Sequence, residues 1–268
     1  MYIVGQDIGN GYIKTVAPGR RPVVFPSVVG SAEEIRFRNP LASGGGLEVS
    51  LNGDRFFVGE HALLQSRCLI TERGRRRDPT VLKVLSLTGL WRLFPGGCEV
   101  YLVTGLPVIW FQEKDRREFQ GLFLGEHEAV INGRKASFNV KDVVVMPQPF
   151  GSLFHLLLSD DGKVMDEGLA RRRVGVIDIG MHTVDLILVD GLHYVEKGSG
   201  SLPYGVDRVL GDVRKDLQDQ YDVDLPIPGV DEVVRRGRLS IYGREENVGH
   251  IIEPHLLGRV CPKFVGMW

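Results

Sequence analysis

The sequence predicts an α/β fold of two related lobes, and three observations support this prediction. A series of short β-rich runs with an acidic residue at its first turn begins near residue 2, and a similar series begins near residue 174. Runs with helical spacing follow both series. The chain of 268 residues is long enough to bury a sizeable core. We therefore expect an internal duplication of one α/β unit.

The first lobe is assigned to residues 1–170, with residues 30–95 inserted into it. Apolar runs bounded by Gly, Asn and Pro predict strands at 2–6, 12–17, 23–28, 47–51, 55–58, 99–104, 129–131, 135–140 and 142–146. Helical spacing predicts helices at 61–66, 80–93, 112–123 and 151–158.

The second lobe is assigned to residues 171–268. It opens with a second acidic hairpin from Val176, which continues into a third β-rich run at 192–197. A stripe of apolar residues predicts a helix at 205–221, and shorter helices are expected at 231–236 and from 253–257.

Composition indicates a globular protein without a strongly charged partner. Apolar residues make up 43% of the chain and charged residues 25%, which are ordinary globular values. The formal net charge of −1 gives no support for direct contact with nucleic acid or a membrane. The basic runs at 75–77 and 171–173 are therefore interpreted as solvated loops. Apolar runs are too short to span a bilayer, and no signal-peptide pattern is present at the start.

The cysteines favour a reducing, cytoplasmic environment. Cys68, Cys98 and Cys261 are far apart and odd in number, and no Cys/His spacing typical of a metal site occurs. They are therefore interpreted as reduced thiols rather than a disulfide framework.

The first acidic turn, at residues 7–15, has the residue types that hold a phosphate and a metal ion. Gly9 and Gly11 allow the backbone to approach a phosphate and to offer N–H donors. Asp7 is a suitable carboxylate for hydrated Mg²⁺, and Lys14 supplies a positive charge for phosphate. Taken alone, Asn10-Gly11 is equally well a tight hairpin turn beside a solvated Asp and Lys.

The second acidic turn, at residues 176–185, repeats this arrangement. Asp178 occupies the place of Asp7, and Gly180 the place of Gly9. Thr183 could donate its hydroxyl to a phosphate. Two matching turns on two matching series of strands favour a nucleotide site over two unrelated hairpins.

Two further residues of this turn are less decisive. His182 is first of all a turn residue, with a catalytic role as the alternative. Asp185 lies one strand position beyond the turn, so that it faces either the same site or the opposite side of the sheet. A helix-capping or solvent-exposed carboxylate is an equally good interpretation of Asp185.

These motifs, with VTGLP at 103–107 and VVVMPQPFGS at 143–152, resemble those of the ParM/StbA branch of the actin-like ATPases, which includes archaeal actin-like proteins. The resemblance covers nearly the whole chain. It implies an actin-like fold, a duplicated ribonuclease H-like α/β fold with two lobes and a nucleotide cleft between them. It also implies ATP, or alternatively GTP, and Mg²⁺ as cofactors.

The resemblance further implies roles for individual residues. Gln148 would be the catalytic residue that positions the attacking water, a role suited to an amide because it both donates and accepts hydrogen bonds. Asp7 and Asp178 would act with it and hold Mg²⁺ through water. The nucleotide-binding residues implied are Gly9, Asn10, Gly11, Lys14, Gly180, His182, Thr183, Gly205 and Asp207. Glycine before a helix suits an anion, whereas Asp207 better suits a helix cap or a ribose hydroxyl.

One departure from the family concerns the end of the sequence. The late glycine-rich turn that cradles adenosine in actin-like ATPases is not found before Trp268, and residues 261–268 fit an amphipathic helix poorly. The second lobe is accordingly expected to be truncated. The sequence therefore does not decide whether the nucleotide is ATP or GTP.

The expected function is nucleotide-dependent assembly into filaments with slow ATP hydrolysis, in plasmid or DNA segregation or in a cytoskeleton. Self-association is the expected partnership, with DNA reached through an adaptor protein. Two alternatives remain: a small-molecule kinase of the same superfamily, and a degenerate structural protein that does not hydrolyse nucleotide.

Overall fold

The computed structural model describes residues 1–36, 46–70, 78–159 and 161–264, with side chains up to residue 256. Two compact units are present. The first comprises Met1–Asp178 and Asp185–Ser201, and the second comprises Ile179–Val184 and Leu202–Trp268. The predicted lobe division at residue 170, with its insert at 30–95, stays a prediction.

The first unit is built on a nine-stranded mixed sheet with the order β3-β2-β1-β7-β9-β8-β5-β6-β4. Strands β1, β7 and β9 are mutually parallel and adjacent, and the other neighbours are antiparallel. The strands are β1 (Tyr2–Ile8), β2 (Tyr12–Val16), β3 (Val23–Pro26), β4 (Val29–Ser31), β5 (Leu47–Leu51), β6 (Asp54–Val58), β7 (Gly97–Leu106), β8 (Gly125–Ile131) and β9 (Arg134–Pro147).

A smaller sheet follows in the chain. Strand β11 pairs with β10, β12 and β13. The strands are β10 (Arg173–Ile179), β11 (Val184–Asp190), β12 (His193–Tyr194) and β13 (Gly200–Leu202). The helices up to this point are α1 (Glu60–Gln65), α2 (Pro79–Leu93), α3 (Glu113–Phe123), α4 (Pro149–Leu157) and α5 (Glu167–Ala170), with 3₁₀ turns at Val108–Trp110 and Glu196–Gly198.

Helix α2 lies in the core of the first unit. It begins at Pro79, where the side chain of Asp78 accepts a hydrogen bond from the Thr80 N–H at 2.7 Å. Nearly all of its sides are buried, so that it packs as a core helix rather than a surface helix. The close approach of α2 to β1 and β2 fixes the hairpin that carries the first acidic turn.

A buried polar network explains this close approach. The amide of Gln6 donates to Thr15 Oγ1 at 3.0 Å and to the Ser86 carbonyl at 3.1 Å, and Ser86 Oγ donates back to Gln6 Oε1. A Cβ at Gly89 would lie 2.4 Å from Thr15 Oγ1, so a larger residue would force the helix away. The network satisfies polar groups that burial would otherwise penalise.

The opposite face of the same strands carries several exposed apolar side chains. Strand alternation and register place Ile3, Val16, Val24, Tyr101 and Val144 on one face, each more than a third exposed. Asp7 lies on this face at the carboxyl end of β1, since it is separated from Ile3 by four positions. These five side chains are exposed apolar groups on the face that has the acidic turn at its edge.

The second unit has a core of its own beneath three helices and a hairpin. Its elements are α6 (Val206–Tyr221), α7 (Ile227–Arg236), β14 (Arg238–Ile241), β15 (Arg244–Asn247) and α8 (Gly249–Phe264). Leu210, Val213 and Leu217 of α6 are buried against Val230 and Ile251. The apolar stripe predicted for the 205–221 helix thus forms the centre of this core.

Several predicted elements differ in extent. The predicted strands at 135–140 and 142–146 are one continuous strand, β9, with a register irregularity against β7 near Val100. The run predicted at 192–197 is only a two-residue strand followed by a 3₁₀ turn. Helix α8 extends through Phe264, so the helix continues into the 261–268 segment that was expected to fit an amphipathic helix poorly. Residues 265–268 lie outside the described residues. The β14–β15 hairpin was not predicted, because its strands are short and polar.

Only one of the two basic runs lies within the described residues. Residues 75–77 lie outside the described residues. In the other run, Arg171 and Arg173 are exposed and form ion pairs with Glu167 and Asp190. No helix in the described part of the chain has the length and apolar character needed to cross a membrane.

Candidate functional site

The first acidic turn is centred on the carboxylate of Asp7. Asp7 and Lys14 lie opposite each other in the β1–β2 ladder, and Lys14 Nζ is 3.0 Å from Asp7 Oδ2. The other oxygen, Oδ1, accepts a hydrogen bond from Gln148 Nε2 at 3.3 Å. A carboxylate only accepts hydrogen bonds, so this contact orients the amide with its nitrogen towards Asp7.

The backbone of the turn is held in place by Ser27, a residue that the sequence analysis did not select. The Ser27 N–H donates to the Gly11 carbonyl at 2.9 Å, and its hydroxyl donates to the Gly9 carbonyl. A Cβ at Gly9 would lie 2.7 Å from the Tyr12 carbonyl oxygen. Glycine is therefore required at position 9 by the tightness of the turn itself, whatever it binds. Asn10 and Gly11 lie in the same half-buried turn.

Gln148 reaches Asp7 because three adjacent parallel strands end at the same edge of the sheet. It follows β9 and precedes α4, and its N–H donates to the Leu106 carbonyl at the end of β7 at 2.9 Å. Strand β7 lies between β1 and β9. Its residue Gly105 lies against the Gln148 side chain. A Cβ at Gly105 would lie 2.8 Å from Gln148 Cγ. The missing side chain gives Gln148 a path across β7.

Asp178 is a half-buried carboxylate with a perturbed pKa. Burial raises the pKa of Asp178 above its ordinary value, the charges of Asp7 and Asp185 raise it further, and Lys14 opposes them. Such a concentration of negative charge favours a bound cation. Two carboxylates are also the donor set that Mg²⁺ takes together with phosphate oxygens and water, so these residues fit the ion.

Among the described residues, no group of three or more His, Cys, Asp or Glu side chains is arranged to hold a metal ion by itself. A divalent ion here would therefore depend on ligands from a bound phosphate and from water, as is common for Mg²⁺.

Asp185 does not face solvent. It is 2% exposed, and its Oδ1 accepts hydrogen bonds from the Val108 N–H at 2.8 Å and from the Ser201 hydroxyl. The solvent-exposed alternative for Asp185 is therefore wrong: its carboxylate bonds the first N–H of the 3₁₀ turn that follows β7. Its partner Ser201 was not found by sequence reasoning, because no local pattern relates it to Asp185.

In the second unit, the turn after β10 is bonded to the start of α6. The N–H groups of Val206 and Asp207 donate to the carbonyls of Gly180 and Met181, at 3.1 and 2.9 Å. A Cβ at Gly205 would lie 2.0 Å from the Met181 carbonyl oxygen. Glycine at 205 is therefore explained by this close packing, and its contact with a nucleotide stays a prediction.

The side chains of this turn include a histidine–carboxylate pair. His182 Nδ1 lies 2.8 Å from Asp207 Oδ2, whereas Asp207 Oδ1 is buried and has no hydrogen-bond partner among the described residues. Within the turn, the Gly180 N–H donates to the Thr183 carbonyl at 2.8 Å. The structure thus brings Gly180, His182, Thr183 and Asp207 together, as it brings Asp7, Lys14 and Gln148 together in the first unit.

Comparison with known proteins identifies the family. Residues 5–151, more than half of the 268 residues, match the family described as "Actin like proteins N terminal domain". The chain belongs to the actin-like proteins. Residues 176–256 match the family described as "Archaeal actin homologue MreB-like, C-terminal". A search of curated proteins gives no significant match.

Solved structures agree with this assignment. The archaeal actin homologue Ta0583 is 17% identical over 100% of this chain and 81% of its own, with a TM-score of 0.77. Its complex with ADP gives 18% identity, the same coverages and a TM-score of 0.76. A ParM from a 15-stranded filament of Clostridium botulinum is 20% identical over 100% of this chain and 84% of its own, with a TM-score of 0.75. The predicted actin-like fold is therefore confirmed.

Proposed function

We propose that this actin-like protein is a nucleotide-dependent, filament-forming ATPase. The observation that carries the proposal is the contact of Gln148 with Asp7 at the carboxyl edge of the parallel strands, where α/β sheets commonly bind ligands. A glutamine is poorly suited to proton abstraction but well suited to orienting a water molecule. Gln148 and Asp7 together therefore suit an enzyme that transfers a phosphoryl group to water.

The proposed role of Gln148 is to hold the attacking water by its carbonyl oxygen. Because Nε2 donates to Asp7, the amide cannot flip without placing its oxygen against a carboxylate. Oε1 is thus available as an acceptor in a fixed orientation. Positioning of this kind, rather than covalent chemistry, is the main contribution of a protein to phosphoryl transfer.

The carboxylates of Asp7 and Asp178 are the proposed ligands of Mg²⁺, directly or through water. When bound, the ion would neutralise charge on the phosphate oxygens and so lower the barrier to transfer. The raised pKa of Asp178 is due first to burial and then to the neighbouring charges of Asp7 and Asp185, and it is these charges that favour a cation. Lys14, which is exposed and paired with Asp7, is proposed to exchange that partner for a phosphate.

In the second unit, Gly180, Thr183, His182, Gly205 and Asp207 are proposed nucleotide contacts. The tight packing of the 180–183 turn on α6 supports a preorganised binding loop. Of these residues, the His182–Asp207 pair is the most specific, since the carboxylate orients the imidazole for contact with a polar ligand. ATP is the proposed nucleotide, and GTP is the alternative. A competition binding experiment with the two nucleotides would decide between them.

Filament formation is proposed from family membership and from the ParM relative whose structure is a filament. On this proposal, the protein self-associates with nucleotide, acts in plasmid or DNA segregation or in a cytoskeleton, and reaches DNA through an adaptor protein.

The test is high-speed pelleting with parallel measurement of phosphate release, with and without Mg-ATP. Pelleting that depends on Mg-ATP and reverses as ATP is consumed supports the proposal. ADP formation that requires an added acceptor would instead identify a small-molecule kinase. Absence of both turnover and nucleotide-dependent thermal stabilisation would identify a structural protein that does not bind nucleotide.

A further inference from the structure

Asp185 and Ser201 form a buried hydrogen-bonded clamp on the segment that follows β7. Asp185 Oδ1 accepts from the Val108 N–H at 2.8 Å and from the Ser201 hydroxyl, and Ser201 Oγ accepts from the Ile109 N–H at 2.8 Å. The first two N–H groups of the 3₁₀ turn thereby gain partners that the turn itself cannot supply. A carboxylate that is 2% exposed is costly unless satisfied in this way.

The clamped segment also supports Gln148. Two residues before Val108, the Leu106 carbonyl accepts the Gln148 N–H at 2.9 Å, and Leu106 is paired with Pro147 in the β7–β9 ladder. The preceding Gly105 lies in contact with the Gln148 side chain. Residues 105–109 are therefore held by β9 on one side and by the clamp on the other.

We propose that Asp185 and Ser201 are positioning residues for ATP hydrolysis, which hold the 105–109 segment and through it keep the Gln148 amide on Asp7. This inference rests on the proposed function and adds two residues that do not contact the reacting atoms. Its physical basis is that positioning is sensitive to small displacements, so that a loosened support lowers turnover without lowering nucleotide affinity.

The first test measures the clamp without reference to activity. In Ser201→Ala, the Ile109 N–H loses its acceptor, and its hydrogen exchange is expected to be faster than in the unaltered chain. Ser199→Ala is the matched control. Ser199 accepts from the Leu188 N–H at 3.0 Å and donates to the Val195 carbonyl, so its hydroxyl also holds a backbone N–H, but elsewhere in the unit. Unchanged exchange at Ile109 in Ser201→Ala would contradict the clamp.

The second test measures kcat and nucleotide Kd for the same variants. Ser201→Ala is expected to lower kcat about tenfold with little change in Kd, whereas Ser199→Ala leaves both nearly unchanged. Because Ser201→Ala removes one hydroxyl from a half-buried site, it should fold. Asp185→Asn keeps Oδ1, the acceptor of both bonds, so it should lower kcat less than Ser201→Ala does.

A double-mutant cycle distinguishes positioning from a general structural effect. In a Gln148→Ala background, Ser201→Ala is expected to change kcat less than about twofold, because the side chain that it positions is gone. An equal loss in both backgrounds would overturn the positioning role while leaving the proposed ATPase intact. If the unaltered chain has no turnover, the proposed function fails and this inference fails with it. If Gln148→Ala leaves the turnover of an active chain unaltered, only the role of Gln148 and this inference fail.

Discussion

The side-chain amide of Gln148 donates a 3.3 Å hydrogen bond to the carboxylate of Asp7 across 141 positions of sequence. Gln148 follows β9, and Asp7 is the penultimate residue of β1. Strand β7 separates these two strands in the sheet. Gly105 of β7 allows the contact, because its lack of a side chain leaves room for the Gln148 chain to cross. This relationship is the basis of the proposed chemistry and of two predictions.

Replacing Gln148 by Ala should lower the rate of phosphate release about 100-fold, by analogy with the loss of one preorganised hydrogen-bonding group. The nucleotide Kd should change little, because the residue is proposed to contact water rather than nucleotide. Gln112→Ala is the control, since Gln112 is exposed at the start of α3 and its side chain makes no capping bond. A large loss of affinity in Gln148→Ala would refute the role assigned to it.

Gly105→Ala should reproduce much of the Gln148→Ala phenotype without altering any polar group. A Cβ at this position would lie 2.8 Å from Gln148 Cγ, so the glutamine must move away from Asp7. We expect a loss of kcat of more than about tenfold, measured by phosphate release. Gly121→Ala, whose Cβ would meet nothing within 4 Å, serves as the control for glycine replacement. Normal turnover in Gly105→Ala would show that the crossing path is not needed.

The pH dependence of Mg-nucleotide binding should reflect the raised pKa of Asp178. Below that pKa the carboxyl is protonated, so a cation must compete with a proton. Stabilisation of the protein by Mg-ATP should therefore diminish as the pH falls towards the raised pKa, at a higher pH than an ordinary Asp would require. Thermal unfolding at a series of pH values, with and without Mg-ATP, measures the effect.

Without Mg-ATP, the pH dependence has the opposite sign: the stability contributed by Asp178 should decrease as the pH rises. An acid with a raised folded-state pKa contributes stability below its unfolded-state pKa, and loses it as the pH rises through the folded-state value. Asp178→Asn should remove both pH effects, whereas Asp190→Asn, a change at an exposed ion pair, should retain them. An identical pH profile in Asp178→Asn would exclude Asp178 as the titrating group.

Two glycines of the second unit should respond to alanine in opposite directions. A Cβ at Gly205 would lie 2.0 Å from the Met181 carbonyl oxygen, so Gly205→Ala should destabilise the protein by about 1–3 kcal/mol through overpacking. Gly211 lies within α6 with nothing within 4 Å of its Cβ position, so Gly211→Ala should stabilise it by about 0.5–1 kcal/mol. Urea unfolding of both variants measures the difference. Equal effects would contradict the packing described for the 180–183 turn.

Local features of the fold were predictable to within a few residues. The hairpin at 47–58 follows from its turn residues, and the helices beginning near 80 and 206 follow from the spacing of their apolar residues. These signals act between neighbours in sequence. The polar hairpin β14–β15 carries no such signal. The actin-like fold itself was predicted from the resemblance of the motifs to a known family, and the comparisons confirm it.

The candidate site was predictable only as a set of residues. The sequence by itself determined the two acidic turns, because an acid, a glycine and flanking apolar strands lie within ten positions of one another, and it indicated Gln148 through the resemblance. The tertiary structure decided that Ser27 holds the first turn, that Gly105 makes room for Gln148, and that Asp185 is buried on Ser201. The physical reason is that these contacts depend on the order of strands in the sheets. That order arises from long-range pairing and burial, which no local run of residues specifies.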